Sequence, residues 1–349
     1  MSPNAWGVID LRSRLAFFIV LAVAGHVSSA LTFAGKTTPQ RPETRPTIDR
    51  GVAFLVKDAL AWKSQYKCAS CHHASLVIWS LREAAGRGHR VDGAFLTEFT
   101  KWVADSGDGK TGVKRPVGVP KALNSKAVHF ALGLEADTAP DVISQKGIKR
   151  LLNTVKADQT EDGSWKAWPE TRPPIFGNSD ESMTALATLA VLPAAAAGDP
   201  AATAARDRGV RWLANTKSDD DPQSVAIRLI LWRRLGRPAE EWTLLVERIQ
   251  SRQNADGGWS QAENMQSDAW ATGQALYALA HAGLGPDNRM VSRAQAYLIK
   301  TQRSDGSWPM SSRPLRPGGQ GATSLVPITG AGTAWAIIGL ARSSDRLPR

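Results

Sequence analysis

The chain has 349 residues, 42% hydrophobic and 21% charged, with a formal net charge of +11 and a pI near 9.9. This composition supports a sizeable core and excludes an intrinsically disordered chain. Two cysteines, Cys68 and Cys71, are too few for a disulfide framework. The basic residues scatter along helical patterns and form no run interleaved with aromatics, which argues against a nucleic-acid partner; the excess reads as a solvated surface suited to an anionic membrane face.

Residues 1–30 read as an export signal. Arg12 and Arg14 precede the apolar run Leu15–Gly25, and Ser28 and Ala30 suit cleavage after Ala30. The run is short for a membrane span, and an uncleaved anchor is the alternative. The expected location is the periplasm or the medium outside the cell. Residues 31–47 are polar and proline-rich, as in a flexible lead-in to one domain over residues 48–349.

Within that domain the periodicity predicts six helix pairs, at 48–88, 93–135, 145–193, 203–236, 241–284 and 290–343, and strand signals are nearly absent. The first helix of each pair carries more charge, for example at Lys149, Arg211 and Arg248. The second is small and apolar nearly all round, as in "DESMTALATLAVL" from Asp180 and "GTAWAIIGLA" from Gly332. A helix that is apolar all round must be buried, and an amphipathic one covers it. The expected fold is therefore all-α, an (α/α)6 toroid of six inner helices inside six outer ones. An open superhelix of helix pairs is the competing layout.

A turn recurs between the helices of a pair: "DGSW" at 162–165, "DGGW" at 256–259 and "DGSW" at 305–308. The tryptophans are 94 and 49 residues apart, a period near 48 that marks a repeated unit. Asp-Gly is a turn signal, and the tryptophan is a large anchor that pins the turn to its neighbour.

The stretches "QNADGGWSQ" and "TQRSDGSW", each followed by an Ala-rich helix, resemble the QW-type repeats of terpenoid cyclases of the squalene–hopene cyclase type, whose toroid the protein prenyltransferases share. "SDAWATGQALYAL" (Ser267–Leu279) is similar to the same family, and the resemblance runs over most of the chain from Gly51. It implies an α/α toroid and an apolar or isoprenoid small-molecule ligand. It also implies a place to look for a D-x-D-D proton donor, at the start of an inner helix. The matching stretch is "SDDDPQS", where Asp219, Asp220 and Asp221 stand with Ser218 in place of the first acid, and the family's donor maps to Asp220. Ser and Asp ahead of Pro222 also make an ordinary helix cap. Two departures count against cyclase chemistry. The squalene-type enzymes have two α/α domains where this chain has length for one, and the zinc site of the prenyltransferases lacks its cysteine here.

In a ring of hairpins all inner helices run the same way. Their N-termini then share one rim, with Cys68–His73, Ser125, Asp180–Glu181, Asp219–Asp221, Asp268 and Gly330–Thr333. Free N–H groups and the helix dipoles make such a rim favourable to anions.

"CASCHH" (Cys68–His73) contains C-x-x-C-H, the attachment pattern of c-type haem. Cys68 and Cys71 would form the thioethers and His72 would be the proximal iron ligand. Such attachment happens outside the bacterial cytoplasm, in keeping with the export signal. A zinc site, a redox disulfide or no function at all are the alternatives: zinc lacks a second ligand pair, and a thioredoxin-like disulfide lacks its βαβ context. His129 and Met310 are the candidates for the sixth iron position, with a packed side chain as the alternative for each. His73 sits beside the proximal ligand, and His89 lies at the far end of its pair. The leading expectation is an exported toroid protein with one covalent haem c, acting as a redox enzyme or electron carrier with a periplasmic redox partner. The rivals are a non-redox toroid enzyme, cyclase-like or a polysaccharide lyase or hydrolase, and a binding protein without chemistry.

Overall fold

The computed structural model describes residues 43–66, 69, 71–106, 125–135, 142–167, 174, 179–218, 220–313 and 327–344. The expected export signal, most of the lead-in, Cys68 and Asp219 lie outside them.

Among the described residues, twelve helices alternate between two layers. The outer layer is α1 (Arg45–Tyr66), α3 (Gly93–Asp105), α5 (Val142–Ala157), α7 (Pro200–Asn215), α9 (Ala239–Ser251) and α11 (Arg289–Thr301). The inner layer is α2 (Leu76–Ala85), α4 (Ser125–Glu135), α6 (Asp180–Ala196), α8 (Pro222–Arg234), α10 (Ala269–His281) and α12 (Thr329–Ser344). A five-residue π-turn, Cys71–Ser75, leads into α2. Among the described residues there is no strand, only the isolated bridges Trp259–Asp268 and Ser311–Pro327. The six expected pairs are all present, and α1 begins at Arg45, inside the segment read as lead-in.

Each inner helix packs against the next, from α2 through α4, α6, α8 and α10 to α12, and α12 packs back on α2. The ring is closed, not an open superhelix. Burial follows the composition: every residue of α10 from Ala269 to Ala280 is buried, whereas α9 buries only Leu245 and Ile249. Small residues set the closest approaches. A Cβ on Gly273 of α10 would run into the carbonyl of Trp335 on α12, and one on Gly339 would meet Gly273 in return.

The recurring turns are the joints of the ring. Trp165, Trp259 and Trp308 are buried, and each indole N–H donates to a carbonyl ten residues back in the outer helix just ended: Val155 (2.7 Å), Ile249 (2.7 Å) and Leu298 (2.9 Å). Their backbone N–H groups donate to Thr184, Thr272 and Thr333 in the inner helices that follow. A glutamine ahead of each turn clasps the next outer helix. Gln159, Gln253 and Gln302 donate to Ala205, Met290 and Thr47, and accept from Arg208, Arg293 and Arg50. The last clasp links residue 302 to residue 47 and so fastens the end of the ring to its beginning. The glycines of the turns have φ near +90°, and a Cβ on Gly163 or Gly257 would sit 2.8 or 2.6 Å from the carbonyl oxygen of that arginine. Conformation and space both call for glycine there.

Candidate functional site

The expected rim exists. Side chains cap several inner helices at this end: Asp221 accepts from the Ser224 amide, Asp268 from the Ala271 amide, and Ser179 forms a capping box with Ser182. The cap of α6 is Ser179, and the next residue, Asp180, accepts instead from the Ala167 amide and Lys166.

At the α1–α2 junction the π-turn carries His72 and His73 beside Trp62 of α1. The ring centroids of Trp62 and His73 are 3.9 Å apart, and those of His72 and His73 4.2 Å. Burial pushes the His72 pKa down to about 4; burial and the neighbouring His72 push His73 down to about 3. Both imidazoles are neutral at physiological pH. His73 Nδ1 lies 3.8 Å from Asp58 Oδ2, whose pKa burial raises. A Cβ on Gly330, at the start of α12, would touch both. Cys71 opens the same turn.

The two candidates for a sixth iron ligand sit differently. His129 is buried in α4, its ring 6.1 Å from that of Trp79. Met310 is partly buried before α12, with its sulfur against Gly332, two residues past the glycine that faces His73. Positions two apart on a helix face nearly opposite ways, so Met310 and His73 flank different sides of α12. His89 pairs with Asp49 at 2.9 Å, away from the rim. Among the described residues no three His, Cys, Asp or Glu side chains converge as a metal site.

The acidic stretch is split. Asp221 is committed to the cap of α8. Asp220 has a φ of 61° and is more than half exposed, with its carboxylate 2.5 Å from Arg252 and 3.5 Å from Arg248. The residue to which the resemblance assigns the acid role thus occupies a setting suited to a surface ion pair.

Two other rim carboxylates are shielded. Glu181 forms a buried pair with Arg228 at 2.7 Å. Asp268 has its pKa pushed up to about 6 by burial, against the hydrogen bonds from the Ala271 amide and Gln261. Beside it, between α8 and α10, lies a cleft of about 420 Å³ counting the part open to solvent. Sequence reasoning missed this cleft, because Gln223, Gln261 and Gln274 belong to no motif.

Inside the ring, Trp79 of α2 touches Tyr277 of α10 at 5.8 Å although α12 stands between those helices. Trp335 contacts Trp79 at 4.9 Å and Trp270 at 5.8 Å. These rings pack against one another across the inner layer.

No family model matches the chain, and no curated protein matches it. Solved structures do. A glycosidase in complex with glucose superposes with a TM-score of 0.56 at 13% identity, covering 86% of this chain and 99% of that one. The type II terpene cyclase MstE from Scytonema gives 0.53 at 14%, covering 85% and 97%. A polysaccharide lyase gives 0.51 at 12%, covering 85% and 97%. The chain therefore has the α/α-toroid fold of these proteins.

Proposed function

We propose that the protein is an exported toroid enzyme or electron carrier whose chemistry sits on the N-terminal rim of the inner barrel, at the α1–α2 junction, with one covalent haem c. The observation that carries this reading is the C-x-x-C-H sequence at the α1–α2 turn that Cys71 opens, where burial pushes the His72 pKa down to about 4. An iron ligand must be neutral, and burial keeps His72 so down to about pH 4. In sequence, C-x-x-C-H supplies the donor types: Cys68 and Cys71 would hold the porphyrin and His72 the iron. Bound there, haem would supply one-electron chemistry. The chain's own contribution is to keep His72 neutral, to brace the turn on Trp62 and to limit water through the packed α1–α2 and α12 contacts. His129 or Met310 would serve as the sixth ligand, and a periplasmic redox partner would dock on the same rim.

The second reading is a non-redox toroid enzyme. The structural neighbours lean this way, since they include a glycosidase, a terpene cyclase and a polysaccharide lyase. The observation within the chain that favours it is Asp268, a rim carboxyl with a pKa near 6 beside a cleft, which suits general acid–base work near neutral pH.

Colour and mass separate the two. Protein exported from cells with cytochrome c maturation should be red, show a sharp reduced α band and carry the mass of one haem. Cys68→Ala with Cys71→Ala should abolish all three. A colourless protein of unmodified mass overturns the haem reading and leaves the second.

A further inference from the structure

We infer that a second cleft, between α7 of the outer layer and the Asp-Gly turn that precedes α6, is a binding site for a neutral oligosaccharide. About 350 Å³ of it is wide enough for a water's centre, which is within the range of small-ligand sites, and it opens to solvent. One wall is a stripe of α7: Arg208, Arg211, Trp212, Asn215 and Thr216. Their spacing puts all five on one face of the helix. Glu161 and Asp162 of the turn form the other wall.

Three of these side chains are already engaged. Asp162 accepts from Thr160 and Ser164, Arg208 donates to Gln159, and Thr216 donates to the Trp212 carbonyl. Glu161, Arg211 and Asn215 are exposed, and their side chains bond to nothing among the described residues. Trp212 is half-buried and packs on the core. Its indole N–H is also unpartnered there, and unlike that of Trp242 it is not enclosed by protein. The open groups are thus a carboxylate, a guanidinium, an amide and an indole with its N–H.

The repeat supplies an internal control. Arg208, Arg293 and Arg50 hold the same place at the three joints, each clasped by its glutamine. Just beyond them, α7 has Arg211 and Trp212, where α11 has Ala296 and Tyr297 and α1 has Ala53 and Phe54. In the turn, Glu161 stands where the other two joints have Ala255 and Ser304. The chain itself uses the Tyr297 hydroxyl, which donates to the Ser267 carbonyl at 2.7 Å. All three joints hold the same fold, so the joint does not require Glu161, Arg211 or an open indole N–H.

The lining selects the ligand. An anion would meet Glu161 and Asp162, and a cation would meet Arg208 and Arg211, so a neutral ligand is favoured. A zwitterion would depend on ion pairs exposed to water, which bring little. A sugar ring can lay its C–H face on the indole. Its hydroxyls both donate and accept, so they serve Glu161, Arg211 and Asn215 together. A cleft open to solvent also leaves room for a sugar chain to run on past its ends. The site is separate from the His72 turn and needs no haem.

The test is isothermal titration with maltohexaose, cellohexaose and laminarihexaose, and with triglycine as a dipolar probe. At least one hexasaccharide should bind saturably, and more tightly than triglycine. Glu161→Ala with Arg211→Ala should weaken that binding at least about 10-fold and leave the thermal midpoint unchanged, since both positions are exposed. Trp212→Ala should abolish it; if that variant fails to fold, the double variant carries the test. No response to any hexasaccharide up to about 20 mM, a limit weaker than millimolar affinity, would overturn the proposal. So would tighter binding of triglycine, or unchanged binding in the double variant. The Cys68→Ala/Cys71→Ala protein should bind the sugar as wild type does, whatever becomes of the haem reading. Loss of binding there would place the sugar at the α1–α2 turn and overturn this site.

Discussion

Replacing Gln302 by Leu removes the clasp that closes the ring while keeping most of the side-chain volume. The amide donates to the Thr47 carbonyl at 2.8 Å and to the Gly306 carbonyl at 3.0 Å, and its oxygen accepts from Arg50 at 2.6 and 3.1 Å. Two neutral bonds contribute about 1 kcal/mol each, and the two-pronged charge-assisted contact with Arg50, taken together, about 1.5–3 kcal/mol. The Arg50 end is exposed and the guanidinium can turn to water, so about 2–4 kcal/mol should remain as the measured loss. At about 2–4 °C per kcal/mol for a large domain, the thermal midpoint should fall by about 4–16 °C. Urea unfolding of Gln302→Leu, Arg50→Ala and the double variant gives the coupling, expected at or above about 0.5 kcal/mol. Gln253→Leu makes the same cut inside the ring and should cost a similar amount. A Gln302→Leu protein within about 0.5 kcal/mol of wild type, or strict additivity with Arg50→Ala, would refute the argument that this clasp holds the closed ring.

Asp268 has a folded pKa near 6, above the ordinary 3.8, so the stability tied to its neutral form is complete below about pH 3.8 and is lost as pH rises through about 6. Asp268→Asn, which keeps the cap acceptor without the charge, should gain about 1–3 kcal/mol on wild type at pH 8 relative to its standing at pH 3.5. Urea midpoints at the two pH values check this, and an equal difference at both would contradict it. Gly273→Ala drives a Cβ into the Trp335 carbonyl and should cost at least about 1–3 kcal/mol in a thermal melt. Asp220→Asn breaks an exposed pair and should change stability by less than about 1 kcal/mol. A loss well beyond that would mean the pair is structural.

The architecture was legible because it rests on local rules. Period-3.6 patterns fixed the twelve helices, and the composition of "AWATGQALYAL" against "EEWTLLVERIQ" told inner from outer. The Asp-Gly-x-Trp turns were legible because positive φ and a large anchor restrict residue choice. The cleft was not legible. Gln223, Gln261, Gln274 and Arg252 come from four segments, and glutamine in a helix reads as an ordinary surface residue until packing buries it. The cap of α6 was not legible either, because Ser179 and Asp180 are both good caps and only the backbone path chooses between them.

The chain by itself therefore determined the helices, their pairing and the joints of the ring, since these depend on neighbours in sequence and on a period near 48 residues. The tertiary structure alone decided what the ring encloses. Side chains from helices far apart in sequence meet inside the inner layer and at the rim, and burial there sets the surroundings of each group: it lowers the His72 pKa and raises that of Asp268, while Asp220 remains exposed and paired. Charge state follows surroundings, and surroundings exist only once the ring has closed.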